Sequence, residues 1–496
     1  MPVRQRVRKA LPMDALELEV TDADDLGWGG GLLDGQQVRV KGALASEVHR
    51  VRLQRREGRA VLAKSLEVLR ASPDRVPGGC PHFDVCGGCA WQHVAPAVRL
   101  QRQQDDIAGR LAAAGVDAPR PLPPVLGPLL HYRRRARLSA RYTQRGGRMF
   151  LGFMEAASRH VAEIETCAIL VEPLASTLPS LRRSLESLTV RHAIPQVELA
   201  AGDDGAIVVL RHLERFTQAD LRMLRNWEAE TGVHVWSQSG GPATAEPLQP
   251  DAPRFLHYQV AEGAPRMAFH PLDFVQINAA INTELVALAR EALRECGAER
   301  VLDLFCGIGN FTLPIARDVR EVVGVESVQE LVQRARANAQ TDLACGVHVE
   351  SSLDDDSVAA AGEGIGHPAA GGRRGAGHPP RFVISDLHGA ASERLLELGT
   401  FDAIVLDQPR TGLGASLAVV PKLGARRLIY VSCNPVSFAT DVQALAAAGY
   451  RLQSWRVLDM FPHTRHVECM GVLDLQPFRA TGGAMRDARA STNDAS

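Results

Sequence analysis

The chain has 496 residues, 45% of them hydrophobic and 23% charged, with 56 basic against 57 acidic residues and a formal net charge of −1. That length predicts about two to four domains, and the charge balance argues against a uniformly basic nucleic-acid binder, leaving only local basic patches. The basic start MPVRQRVRKALPMDALELEV lacks the apolar stretch of a signal peptide, and no apolar run is long enough to span a membrane, so a cytoplasmic, reducing location is expected.

Residues 14–70 alternate short β-like runs (ALELEV, QQVRVKGAL, VHRVRLQR, RAVLAKSLEVL) with turn signals (GWGGG, LDGQ, REG). Strands at this spacing predict a small antiparallel, OB-like β-barrel, assigned to residues 1–72. The first seventy residues carry thirteen Lys/Arg against ten Asp/Glu. That excess suits an RNA-binding surface or a purely structural β-module.

CPHFDVCGGC, residues 80–89, places three of the nine cysteines in ten positions. In a reducing compartment such a group reads as metal ligands before disulfides. Two glycines between Cys86 and Cys89 let both thiolates face one centre, and Cys80 can close over it. Spacing alone does not separate zinc from an iron–sulfur cluster.

A helix, VRLQRQQDDIAGRLAAAG, and a Pro-rich hinge, APRPLPPVLGPL, come next. Mixed strands and helices then predict a central α+β domain over 73–265, with segment 94–124 packing on the catalytic domain that follows. HYRRRARLSARYTQRGGR, residues 131–148, holds seven arginines and no acid, either a phosphate-binding patch or a solvated face. SGGPATAEPLQPDAPR, 239–254, reads as a turn or linker.

From about 266 to 478 strands and helices alternate as in a doubly wound α/β sheet. Ile281, Leu285, Leu288 and Ala292 share one helical face. The Gly/Ala/Pro-rich stretch at about 354–380 reads as a disordered insertion, and 479–496 as a disordered tail.

Four motifs in this region carry chemistry. VLDLFCGIGNF, 301–311, is a strand entering a glycine-bearing loop, and Glu326 ends the next strand, where a carboxylate can accept from ribose hydroxyls. The loop is neither G-x-G-x-x-G nor a P-loop, which favours a ligand with ribose but no pyrophosphate, such as S-adenosylmethionine, over a structural turn. DQPRTGLG, 407–414, and YVSCNP, 430–435, each follow a strand, at the ligand-binding edge of such sheets. Cys433 is therefore a candidate nucleophile, the alternative being a buried small apolar residue. In FPHTRHVECM, Glu468 stands in an apolar strand, either as a desolvated general base or as a paired structural acid.

DLFCGIGNF, DQPR, SCNP and FPHTRHVE together resemble the RNA uracil-C5 methyltransferases. The N-terminal module looks like a TRAM domain, and CPHFDVCGGCAWQH resembles the iron–sulfur segment of the RlmD type, which methylates 23S rRNA. The resemblance implies an N-terminal TRAM barrel, a central α+β domain with a cluster and a Rossmann-like methyltransferase. It implies that Cys80, Cys86, Cys89 and the distant Cys167 hold a [4Fe–4S] cluster, with zinc as the other reading. It implies S-adenosylmethionine contacts at Gln276, Phe305, Asn310, Glu326, Asp386 and Asp407. In the chemistry it implies, Cys433 adds to uracil C6, activating C5 toward the cofactor methyl, and Glu468 removes the C5 proton. Gln408 departs from the family, which usually has proline or a small residue there. The expected partner is 23S rRNA, with no membrane and no obligate protein partner, and the chain is expected to be a monomer. The other readings are a tRNA uracil-C5 methyltransferase and an inactive RNA-binding or chaperone protein. The joint presence of Cys433 and Glu468 argues against the last.

Overall fold

A computed structural model describes residues 11–476 apart from 13, 25, 157, 261–263 and 342–377. The expected insertion, up to residue 377, and the expected tail lie outside the described residues.

The N-terminal unit is one six-stranded sheet of β1 (Leu16–Glu19), β2 (Asp22–Ala23), β3 (Trp28–Leu33), β4 (Gln36–Lys41), β5 (Val48–Glu57) and β6 (Ala60–Arg70), in the order β1-β5-β6-β4-β3-β2. All pairs are antiparallel except β4 with β6. Alternate residues Val38 and Val40, with Leu18, Val51 and Val61, fill its core. Register shifts along β5–β6 mark bulges, which bend and twist a strand pair.

After this sheet and the cysteine segment comes α1 (Pro96–Ala113). Its Leu100, Ile107 and Leu111 join a core formed by much later residues, among them Phe438, Val442 and Trp455. Proline at its start supplies a helical φ without needing an N–H partner.

The central sheet comprises β7 (Arg135–Thr143), β8 (Arg148–Gly152), β9 (Gln196–Ala201), β10 (Ala206–Arg211), β11 (His234–Gln238) and β12 (Ala245–Pro247), in the order β12-β11-β10-β9-β7-β8. On one face it packs α2 (Leu174–Ser187) and α3 (Gln218–Thr231). A reciprocal capping box between Thr217 and Asp220 starts α3, and left-handed Gly232 ends it. The hairpin β13 (Leu256–Gln259) and β14 (Arg266–Phe269) follows, and its Leu256, Tyr258, Met267 and Phe269 share a core with the last unit.

That unit contains α4 (Ala279–Glu295), β15 (Arg300–Leu304), α5 (Thr312–Ile315), β16 (Glu321–Glu326), α6 (Gln329–Thr341), β17 (Arg381–Ile384), β18 (Ala403–Asp407), β19 (Arg427–Ser432), α7 (Pro435–Ala447), β20 (Tyr450–Leu458) and β21 (Glu468–Leu475). The sheet order is β17-β16-β15-β18-β19-β21-β20. Strands β15 to β19 run parallel, and β21 is antiparallel to both neighbours. The order reverses between β15 and β18, opening the crevice in which α/β sheets bind ligands. On the α4 face expected from sequence, Ile281, Leu285 and Ala292 are buried and Leu288 partly so. The helix after the glycine loop is a single turn, α5, ended at Ile315. Among the described residues no helix is long and apolar enough to cross a membrane.

Candidate active site

The strands β15, β16, β18 and β19 end on one edge of the sheet, and β21 begins there. Phe305, directly after β15, has φ 64°, a left-handed conformation that costs a non-glycine residue about 1 kcal/mol or more. Gly309, at φ 96°, has no room for a side chain: a Cβ there would lie 2.9 Å from Leu313 Cγ. The Glu326 carboxylate closes the end of β16. Its Oε1 accepts from the Ser327 and Val328 amides at 2.7 and 3.0 Å, and Oε2 accepts from Gly307 at 3.2 Å, with lone-pair capacity left over. Phe305 packs on His388, their ring centres 5.4 Å apart. Asp386 is exposed and caps its own turn, accepting from the His388 and Gly389 amides at 3.0 and 3.2 Å.

Asn310 is held in a polar network that the sequence did not reveal. Its Oδ1 accepts from Tyr258 Oη at 3.0 Å and from Asn282 Nδ2 at 2.9 Å, and its Nδ2 donates to Asn282 Oδ1 at 3.0 Å. Tyr258 lies on the hairpin and Asn282 on α4, so neither belongs to a recognisable motif.

Deeper in the crevice Gln276 Nε2 donates to Asp407 Oδ2 at 3.3 Å. Burial pushes the Asp407 carboxyl up to about 7, against the pull of that hydrogen bond. Glu468 is 2% exposed, and burial first, then the nearby Asp407, raise its carboxyl well above the ordinary range. The next residue after β19 is Cys433. Ser432 pairs with Cys469 in antiparallel register, which brings Cys433, one residue past the last pair, near Glu468, the residue before Cys469. Burial, then Glu468, push the Cys433 thiol up to about 12, while Arg410 works in the opposite direction. Asn434 explains the Asn-Pro after the cysteine: its side chain accepts from Val436 N at 3.1 Å, and Pro435 opens α7. Gln408, 3% exposed, has no hydrogen-bond partner for either amide atom.

The segment leading into Glu468 is tied from several directions. Arg99 of α1 forms two hydrogen bonds with Asp459, at 2.9 and 2.6 Å. Tyr132 Oη donates to the Pro462 carbonyl at 2.9 Å, and the amides of Ala90 and Trp91 donate to the His463 carbonyl at 2.8 and 3.0 Å.

Cys80, Cys86, Cys89 and Cys167 line one cavity, walled by Phe83, Phe153 and Ile164. A Cβ on Gly87 would meet the Met154 carbonyl at 2.7 Å, and one on Gly88 would meet Phe153 at 3.1 Å, so the CGGC spacing reflects close approach. Lys41 of β4 reaches in, donating from Nζ to the carbonyls of Phe83 and Cys86 at 2.7 Å each. Burial pushes the Cys89 thiol up to about 12. Among the described residues no group of three or more His, Cys, Asp or Glu converges tightly enough for a single metal ion.

Four arginines of the run are engaged in ion pairs, Arg137 and Arg148 among them on exposed side chains. Arg134 pairs with Asp203 at 3.1 Å, Arg135 and Arg137 pair with Glu198, and Arg148 pairs with Glu163. The acids lie fifteen to about seventy positions away, so an acid-free stretch of sequence is not an unpaired surface.

The family model described as tRNA (Uracil-5-)-methyltransferase matches residues 125–352 and 393–476. A 23S rRNA (uracil(1939)-C(5))-methyltransferase RlmD of Alkalilimnicola ehrlichii is 36% identical over 94% of this chain and 98% of its own length. One of the same name from Bordetella parapertussis is 38% identical, covering 93% of each chain. Among solved structures, the Pyrococcus abyssi tRNA (uracil-54, C5)-methyltransferase in complex with S-adenosyl-L-homocysteine superposes with a TM-score of 0.65 at 19% identity, covering 92% of this chain and 99% of that one. At that identity the likeness speaks for the fold alone.

Proposed function

The chain belongs to the RNA uracil-C5 methyltransferase family, and from that premise we propose that it methylates C5 of a uridine in 23S ribosomal RNA through a covalent bond to Cys433. The observation that carries the chemistry is the register of β19 and β21, which faces a thiol with a buried carboxylate at the mouth of the crevice.

S-adenosylmethionine supplies an electrophilic methyl group when bound. The residues present suit it: Glu326 keeps acceptor capacity for a ribose, and the Phe305–Gly309 loop brings backbone close to the crevice at the switch point. Asn310 supports this wall through Tyr258 and Asn282, Gln276 and Asp407 form the floor, and Asp386 lies on the exposed rim. The Cys433 thiolate adds to C6 of a uracil turned out of its stack, which saturates C6 and makes C5 nucleophilic. After C5 is alkylated, Glu468 takes the C5 proton, the C5–C6 double bond reforms and the sulfur leaves. A carboxylate raised by burial is a stronger base for this step than an ordinary glutamate. Asp407 would hold the uracil edge or orient the cofactor.

The four cysteines suit a [4Fe–4S] cluster. All four line one cavity, as the four thiolate ligands of such a cluster must, with a four-cysteine zinc site as the other reading. The cluster would brace the loop that hydrogen-bonds to His463. The N-terminal sheet is read as a TRAM-type module presenting a basic surface to RNA, and the enzyme as a cytoplasmic monomer.

Mass-spectrometric mapping of 5-methyluridine in ribosomal RNA tests the reading. One 23S site should lose the modification in cells without this protein, regain it with the wild type and not with Cys433→Ala. Restoration by Cys433→Ala would overturn the nucleophile, and loss confined to tRNA would move the substrate.

A further inference from the structure

The geometry points to His466 as a positioning residue that holds the Arg410 guanidinium beside Cys433, where its charge favours the thiolate; this rests on the reading of Cys433 as the nucleophile. Cys433 is surrounded by groups that oppose ionisation. Burial removes water from the sulfur, and Glu468 and Asp407 add like charge; the cation that counters them is Arg410. Arg410 follows β18 on an exposed turn, and its backbone carbonyl accepts from Asn434 Nδ2 at 2.8 Å, which ties the turn to the residue after the thiol. A long, exposed arginine acts on one neighbour only when its head group is fixed. The contact that fixes it is a hydrogen bond from Nη2 to His466 Nδ1 at 3.2 Å.

His466 is itself held in place. Gln103 Nε2 of α1 donates to its carbonyl at 3.2 Å, its amide donates to Thr464 Oγ1 at 3.2 Å, and its ring meets Phe461 edge-on at 5.8 Å. To accept from Arg410 at Nδ1, the ring must be unprotonated there, with its proton on Nε2. Burial, with Arg410, Arg465 and Arg133 around it, brings the imidazole down to about 4, so it stays an acceptor at neutral pH. The same short segment thus delivers the base, Glu468, and the clamp for the cation that serves the nucleophile.

The test is iodoacetamide alkylation of Cys433 in the full-length protein, followed by mass spectrometry of its peptide between pH 7 and 9, where the rate follows the thiolate fraction. His466→Ala should lower that rate about tenfold, the effect of one unit of thiol pKa, and lower kcat with little change in KM for RNA. His466→Asn, whose Oδ1 can accept from Arg410, should recover most of both. Arg410→Gln should match His466→Ala, and the double variant should be no slower than Arg410→Gln alone. An unchanged alkylation rate in His466→Ala, equal impairment of the Asn and Ala variants, or additive losses in the double variant would each overturn the role. Full activity of Cys433→Ala would instead overturn the reading beneath it, and the two failures are distinct.

Discussion

Arg99 and Asp459, 360 positions apart in sequence, form a doubly hydrogen-bonded ion pair with each side chain 1% exposed. It fastens the helix after the cysteine segment to the start of the loop that leads into Glu468. Removing one partner of such a pair leaves a buried charge uncompensated, at a cost of about 3–5 kcal/mol. Arg99→Met is therefore expected to lower unfolding stability by about that amount in denaturant titrations, and Arg99→Met with Asp459→Leu to recover most of it. A single variant as stable as wild type would show that the pair does not anchor the loop.

Glu468→Gln keeps the shape of the side chain and removes the proposed base. In the proposed mechanism, addition of Cys433 to the uracil does not need that carboxylate, but elimination does. A covalent protein–RNA species should therefore accumulate, seen as a slowly migrating band on a denaturing gel. Normal methyl transfer with no such band would assign proton removal elsewhere.

The Gln276–Asp407 hydrogen bond favours the ionised form of a carboxyl that burial pushes up to about 7. If the ionised form is the working one, kcat/KM rises as pH passes through that region. Gln276→Leu removes the opposing pull, so the rise should move to higher pH. A midpoint that stays fixed, read from the pH–rate profile, would detach Asp407 from the profile.

Cys89→Ser removes one wall of the four-thiol cavity. Anaerobically purified wild-type protein should be brown and contain iron and sulfide, and the variant should be pale and depleted of both. Stoichiometric zinc in the wild type would replace the cluster reading.

Burial pushes the Glu47 carboxyl up, but hydrogen bonds from Arg75 and His49 outweigh it and hold the group well below the ordinary range. A lowered folded-state pKa contributes stability above the unfolded value, about 4.3, and that stability is lost as pH falls below it. Amide protection factors of the N-terminal sheet, corrected for the intrinsic pH dependence of exchange, should therefore fall as pH drops below about 4, and Glu47→Gln should make them low above that pH as well.

The strand-end positions of Cys433 and Glu468 were legible because each stands beside residues that give the strand away. Their confrontation was not, because antiparallel register between β19 and β21 has no signature within either segment. The same limit hid Tyr258 and Asn282, which hold Asn310 from two distant elements, and it made Arg134, Arg135 and Arg137 look available when Asp203 and Glu198 occupy them. Local periodicity reports which face of an element is buried and says nothing about which distant side chain meets it.

Strand β21 is synthesised after β20 yet lies between β19 and β20, and Glu468 is its first residue. A chain released from the ribosome before this strand has an open slot in its sheet, with hydrogen-bonding edges unsatisfied on both sides. Such a product would be a target for chaperones and proteases, so the last strand to be made is also the one that decides whether the sheet closes.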